Sequence, residues 1–200
     1  MIRVFIGYDA VEAVAFNVLS HSIHARATQP VQIAPVMLDQ LKGVYRRDRN
    51  PLQSTEFSFS RFLVPYLCDF KGWAVFMDCD MLAQEDFARL WALRDDRYAV
   101  QVVKHTHVPK EETKFLGAVQ TKYEKKNWSS VMLMNCAQCT VLTPDFVNTA
   151  TGLELHQFKW LRDDSRIGEI PAQWNHLVGY DPRRPDASVV HYTIGGPWFP

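Results

Sequence analysis

The amino-acid sequence predicts an α/β layered fold whose ligand sits beyond the carboxyl ends of the strands. Three observations carry the prediction. Short apolar, β-branched runs recur through the first half of the chain, segments with helical spacing alternate with them, and 200 residues that are 47% hydrophobic and 12% aromatic supply a sizeable core without disulfides. Strands that alternate with helices favour a parallel sheet, and open sheets of that kind bind ligands at their carboxyl edge.

Ile2–Ile6 is the first run, stopped by Gly7, and reads as a buried strand. Asp9 stands where it can cap the next segment. There Val14, Ala15, Val18, Leu19 and Ile23 recur at spacings of three and four, which places them on one helical face ending near Thr28, before Pro30. Val31–Met37 is a second strand, so the opening has the length of a crossover unit and implies a parallel pair. The polar stretch 39–53, with Arg46, Arg47 and Arg49, reads as a solvated loop in preference to a phosphate clamp. A second helix is predicted after Ser54, carrying Phe57, Phe59, Phe62, Leu63 and Leu67 and kinked or shortened by Pro65.

Trp73–Met77 is a third buried strand, and helical spacing returns at Phe87, Leu90, Trp91 and Leu93 before a fourth strand over Tyr98–Val103. The remainder is less regular. The Lys- and Glu-rich stretch 110–127 reads as a solvated face, with a mobile loop or lid as the alternative. Val131–Met134 is a further strand, Pro144–Thr149 a short helix and Ser188–Tyr192 the last strand.

Charge and composition exclude several partners. Lys plus Arg (22) equals Asp plus Glu (22), so no overall field draws the chain to nucleic acid or to an acidic membrane. Four cysteines lack the density of a disulfide scaffold and favour a reducing compartment. The N-terminus lacks a signal-peptide pattern, and no stretch nears the roughly 20 apolar residues that span a bilayer. The expectation is a cytoplasmic protein of one domain, residues 1–200, with no nucleic-acid partner and no transmembrane segment; a homodimer is compatible with it.

The sharpest chemical feature is Phe76-Met77-Asp78-Cys79-Asp80. Residues two apart in extended backbone face the same side, so both carboxylates can converge on one small volume. Two anions that close repel unless one is protonated or a cation lies between them, and a hard divalent ion such as Mn²⁺ or Mg²⁺ is the usual solution. A second cluster, His191-Tyr192-Thr193-Ile194-Gly195-Gly196-Pro197-Trp198, offers an imidazole followed by glycines whose N–H groups can approach a phosphate.

Taken with Ser60-Arg61-Phe62-Leu63-Val64-Pro65 upstream, the Asp-x-Asp and the distant His-x-x-x-Gly-x-Pro-Trp resemble the family 8 glycosyltransferases of GT-A fold, a group that includes glycogenin and bacterial lipooligosaccharide galactosyltransferases. The resemblance runs from Ile2 to Trp198. It implies a three-layer α/β/α fold with a mixed, mainly parallel central sheet, and transfer of a sugar from a nucleotide donor, typically UDP-linked, to an acceptor hydroxyl with retention.

Position by position, the resemblance implies Asp78, Asp80 and His191 as metal ligands, with Asp78 also on the donor ribose. It implies Tyr8 and Asp9 at the nucleoside, Arg61 at the acids or the donor sugar, Ser130 and Asn135 along the sugar pocket, and Gly195 and Gly196 at the phosphates. The family's lysine before the closing Trp is replaced by Gly196, and Asn127 stands near the family asparagine that Trp128 displaces. Its Asp-Gln-Asp motif has no clean counterpart; Asp163-Asp164 and Gln173-Trp174-Asn175 are the nearest, which makes Asp164 and Asn175, with Arg61, the catalytic candidates. Related chains continue past Trp198, which reads this one as a catalytic domain shortened at its C-terminus.

Other readings stay open on the residues alone. Asp78 could be the nucleophile of a haloacid-dehalogenase-like phosphatase, with Asp80 as its acid and base, or the chain could bind a nucleotide sugar without acting on it. Cys136-x-x-Cys139 is half a zinc pattern, His105-Thr106-His107 could face a cleft, and Trp128, Trp160, Trp174 and Trp198 could stack on sugars.

Overall fold

A computed structural model of the chain describes residues 1–49, 53–106 and 124–197. Its main sheet has six strands: β1 (Ile2–Gly7), β2 (Val31–Val36), β3 (Trp73–Met77), β5 (Val100–Val102), β6 (Val131–Asn135) and β7 (Ile167–Glu169). They lie in the order β2-β1-β3-β6-β5-β7. β1 runs parallel to β2 and β3, β6 is antiparallel to β3 and β5, and β5 is parallel to β7. The sheet is mixed and mainly parallel, as expected. A second sheet of three strands, in the order β4-β9-β8, joins β4 (Met81–Ala83), β8 (His176–Leu177) and β9 (Val189–His191).

Residue chemistry accounts for most of these elements. β6 is buried at every position, as its apolar run Val131-Met132-Leu133-Met134 requires of a central strand. β2 is an edge strand, paired with β1 alone, and so tolerates Pro35, which cannot donate to a ladder. The first helix, α1 (Ala13–His24), buries Ala15, Leu19, Ser22 and Ile23. Val14 and Val18 lie outward at 58% and 39% exposure, a correction to the single apolar face expected. The buried stripe turns instead through Ser22, whose hydroxyl donates to Leu19 O at 2.8 Å and accepts from Ala83 N at 3.0 Å, tying α1 to β4.

The second predicted helix is also corrected. Its residues split into a 3₁₀ turn, Ser60–Leu63, and a four-residue helix, α2 (Val64–Leu67). Pro65 has no N–H for the carbonyl four residues earlier, so a continuous helix cannot pass through it; it sits in the first turn of α2, where that loss is harmless. Phe57, Phe62, Leu63 and Val64 are all buried, which needs side chains on several sides of the segment.

Three further helices follow: α3 (Phe87–Ala92), α4 (Pro144–Thr149) and α5 (Gly152–His156). The basic stretch is not simply solvated. Arg47 Nη1 donates to Val147 O at 2.8 Å and Ala150 O at 2.6 Å, satisfying carbonyls at the end of α4, and its guanidinium lies 4.1 Å from the Phe59 ring centre.

Candidate active site

Two pairings assemble the site. The β3–β6 ladder continues one residue beyond β3, where Asp78 N donates to Ser130 O at 2.9 Å, so Asp78 emerges beside Ser129 and Ser130. β4 then pairs antiparallel with β9, matching Met81 to His191, and Tyr192 N donates to Asp80 O at 2.8 Å. This crossing of a main-sheet strand and the small sheet brings together residues far apart in the chain. Metal-ligating atoms of Asp78, Asp80 and His191 all lie within 4.8 Å of one another.

Each side chain is held from behind. Arg61 is buried, with Nη1 2.7 Å from Asp78 Oδ1 and 2.9 Å from Ser129 O. Its guanidinium lies 5.3 Å from the Phe57 ring centre and 5.1 Å from that of Phe76. A buried, aromatic-flanked guanidinium is a rigid counter-charge to the Asp78 carboxylate. His191 is buried, with Nδ1 2.9 Å from Asn175 Oδ1 and Nε2 3.3 Å from Asp80 Oδ1. A bare imidazole nitrogen and a carboxylate oxygen at that distance repel, so the pair favours a cation between them.

Glu12 completes the acidic cluster, and sequence reasoning missed it. It follows β1, whose carboxyl end lies beside that of β3, and the Cys79 thiol donates to its Oε2 at 3.4 Å. Burial first, and then the charge of Asp80, push the Glu12 carboxyl up to about 7. Its signal is an acid three residues beyond Asp9, which acquires meaning only once β1 and β3 are known to be neighbours.

The other predicted residues divide. Asp9 uses Oδ1 to cap Val11 N at 3.1 Å and Oδ2 to accept from Glu56 N at 3.1 Å, so its carboxylate ties two turns together. Tyr8 leaves β1 with its ring edge-on to Phe16 at 5.5 Å. Ser130 lies behind the metal-ligand group, with Oγ donating to Asn127 O at 2.6 Å and accepting from Asn175 Nδ2 at 2.8 Å. Gly195, at φ 127°, turns the chain after β9 with its N–H donating to Tyr192 O at 2.8 Å, and the half-buried Gly196 follows it.

Two expected site residues are corrected by position, and a third is placed apart from the metal-ligand group. Antiparallel pairing sets Asn135 against Trp73, at the opposite end of β3 from Asp78, roughly 13 Å along the strand from Met77 at about 3.3 Å per residue. It cannot line a pocket at the carboxyl edge. Asn175 is fully buried and spends its whole amide on His191, Ser130 and Asn127, so it reaches the site only through His191. Asp164 is exposed, paired with Lys125 Nζ at 2.6 Å, and lies outside the Asp78–Asp80–His191 group.

The secondary motifs resolve similarly. Cys136 and Cys139 are buried free thiols bonded to Met134 O and Ala99 O, and burial pushes Cys139 up to about 12. Trp174 packs edge-on to Phe87 at 6.0 Å in the core, and Trp160 Nε1 donates to Leu155 O at 3.2 Å. Trp128 is half-buried, donating to His105 O at 2.9 Å. Trp198, His107 and most of the stretch 110–127 lie outside the described residues.

The mixed sheet and the ligand group at its carboxyl edge define a fold of the GT-A glycosyltransferase class. Solved structures agree: the WbbM bifunctional glycosyltransferase matches 96% of this chain with a TM-score of 0.63 at 13% identity. The galactosyltransferase LgtC, solved with donor and acceptor sugar analogues, matches 98% of it with a TM-score of 0.52 at 12% identity. The match covers 88% of LgtC but 45% of the WbbM chain, so this chain spans less than half of the latter. No family model matches the chain. Protein CDI of Arabidopsis thaliana is 51% identical over 207 residues, covering 98% of this chain and 79% of that protein, and the chain belongs to the family of Protein CDI.

Proposed function

We propose that this chain is a metal-dependent glycosyltransferase that moves a hexose from a UDP-linked donor to an acceptor hydroxyl with retention, as in the family 8 enzymes it resembles. The observation that carries the reading is the group Asp78, Asp80 and His191, with His191 Nε2 3.3 Å from Asp80 Oδ1. Two carboxylate oxygens and an imidazole nitrogen suit Mn²⁺ or Mg²⁺. When bound, such an ion would stabilise the charge that gathers on a diphosphate leaving group.

The chain's own residues prepare that step. Arg61 pairs with the Asp78 carboxylate and holds it in one orientation. Asp80 and His191 approach from the two paired strands β4 and β9, so their spacing is set by a ladder and not by a loop. The four buried, reduced cysteines support work in a cytoplasmic setting, and residues 1–200 would then act as a single catalytic domain.

The phosphatase reading does not call on His191, whose Nε2 lies 3.3 Å from Asp80 Oδ1, whereas a metal site uses all three side chains. Donor binding and slow donor hydrolysis test the proposal. UDP-hexose should bind and be hydrolysed slowly in Mn²⁺ but not in EDTA, and Asp80→Ala should lower metal-dependent donor affinity at least tenfold with the fold retained by circular dichroism. Unchanged affinity in Asp80→Ala would overturn the site, and preferential turnover of simple phosphate monoesters would overturn the reaction class.

A further inference from the structure

Behind His191 lies a chain of hydrogen bonds whose direction is forced. The main-chain carbonyl of Asn127 can only accept. Ser130 Oγ donates to it at 2.6 Å, so toward Asn175, 2.8 Å away, that hydroxyl is an acceptor. Asn175 therefore faces two acceptors, Ser130 Oγ and, at 3.4 Å, Asn127 O, and the end of its amide that meets them must be the NH₂. Its Oδ1 then points at His191 Nδ1, 2.9 Å away, and because Oδ1 accepts only, Nδ1 must carry the proton. In the neutral ring this leaves the lone pair on Nε2, the nitrogen that faces Asp80 at 3.3 Å.

We infer that Asn175 is a positioning residue that locks His191 in its Nδ1–H tautomer, and that the Asn127 carbonyl, acting with Ser130, is what orients Asn175. This rests on the proposed metal site but makes a separate claim, that the imidazole is set for a ligand before any ligand arrives. The origin of the relay is unusual backbone: Asn127 sits at φ 64°, a left-handed conformation that asparagine adopts more readily than most residues, and this turns its carbonyl inward just ahead of the 3₁₀ turn Trp128–Ser130. Asn175 comes from a different segment, the turn Ala172–Asn175 that leads into β8, and is fully buried. One backbone carbonyl on the β6 side thus governs a ring on β9 through two buried side chains, Ser130 and Asn175. Partners of this kind on the second nitrogen of a metal-binding histidine fix the ring and tune its basicity, and their loss usually costs ten- to a hundredfold in metal affinity.

The test is the tautomer, read by ¹⁵N–¹H correlation spectra of the histidine-labelled, metal-free full chain, with pH raised until its imidazolium signal has gone. His191, assigned by its loss in His191→Gln, should show Nδ1–H with an unprotonated Nε2. Asn175→Ala should release the ring to a mixture of tautomers and weaken Mn²⁺ binding, measured by calorimetry, by ten- to a hundredfold. Ser130→Ala should do the same to a smaller degree, while Asn127→Gly, which keeps the carbonyl and the positive φ, should leave the tautomer unchanged. An Nε2–H tautomer in the wild type overturns the inference even where Asn175→Ala does not fold, as does a folded Asn175→Ala with the Nδ1–H signal intact. Failure of the metal site itself reads differently: Asp80→Ala would then leave Mn²⁺ affinity unchanged while the wild-type tautomer stayed as described.

Discussion

Glu12 shows how burial and a neighbouring carboxylate together shift a single acid. Its folded-state value of about 7 lies above the ordinary 4.5, raised by burial and by Asp80. A carboxyl whose folded pKa is raised binds its proton more tightly in the native state, so the stability it contributes is complete below pH 4.5 and is lost as pH rises through about 7. Each tenfold gain in proton affinity corresponds to about 1.4 kcal/mol, so metal-free protein should lose up to about 3 kcal/mol between pH 5 and pH 8 through this one group. Glu12→Gln should flatten that slope, with the variant gaining on the wild type as pH rises. Parallel urea titrations at the two pH values check this, and identical slopes would mean that Glu12 is not held in the acidic cluster. Another perturbed group near the site has the opposite sense: burial, then Arg61, hold His156 well below the ordinary histidine range, as a neutral ring bonded to Ser129 Oγ at 2.8 Å.

At the scale of elements, legibility tracks how much of a segment's fate is decided locally. Trp73–Met77 and Pro144–Thr149 are found where their patterns put them, because an uninterrupted apolar run and a Thr-Pro start are complete local signals. β4, β7 and β8 escape such a reading, since two or three residues carry no period and exist as strands only through their partners. α5 does carry a local signal that apolar periodicity overlooks: Thr151 and Glu154 form a capping box, a spacing visible in the chain itself. Strand ends also carry constraints that pattern alone hides. Gly7 closes β1 against Phe57, and a Cβ there would lie 2.3 Å from the Phe57 ring. That ring is buried beneath the Arg61 guanidinium, so it has little room to move. Gly7→Ala should cost about 1–3 kcal/mol through overpacking. Gly43→Ala, where the positive φ is the whole constraint and the added atom meets open space, should cost less in the same denaturation experiment.

For the molecule as a whole, the legible part of the site is the part held in short motifs, and the illegible part is what topology decides. Asp78, Asp80 and His191 can be found because a strand end and two brief patterns mark them. Asn135 is misplaced by sequence because a strand taken in isolation has no direction, and it is the antiparallel run of β6 that carries its C-terminal residue away from the site. Asn175 stands out in the sequence for the wrong role, since only the packing of its turn beneath β9 shows that it faces His191 and not a substrate. The same topology predicts how metal and stability are coupled. The three proposed ligands come from the end of β3, from the entry to β4 and from the end of β9, so an ion held by them would link the main sheet to the small sheet. An ion that binds only this folded arrangement stabilises it by mass action, about 2.7 kcal/mol at a hundred times its dissociation constant. For a domain of this size each kcal/mol raises the melting temperature by about 2–4 °C, so saturating Mn²⁺ should raise Tm by roughly 5–10 °C and EDTA should reverse it. Asp80→Ala and His191→Ala should both lose that rise, whereas Asn135→Ala should keep it, because its side chain lies at the other end of the sheet. A rise that survives in Asp80→Ala would place the ion elsewhere and separate metal binding from the junction of the two sheets.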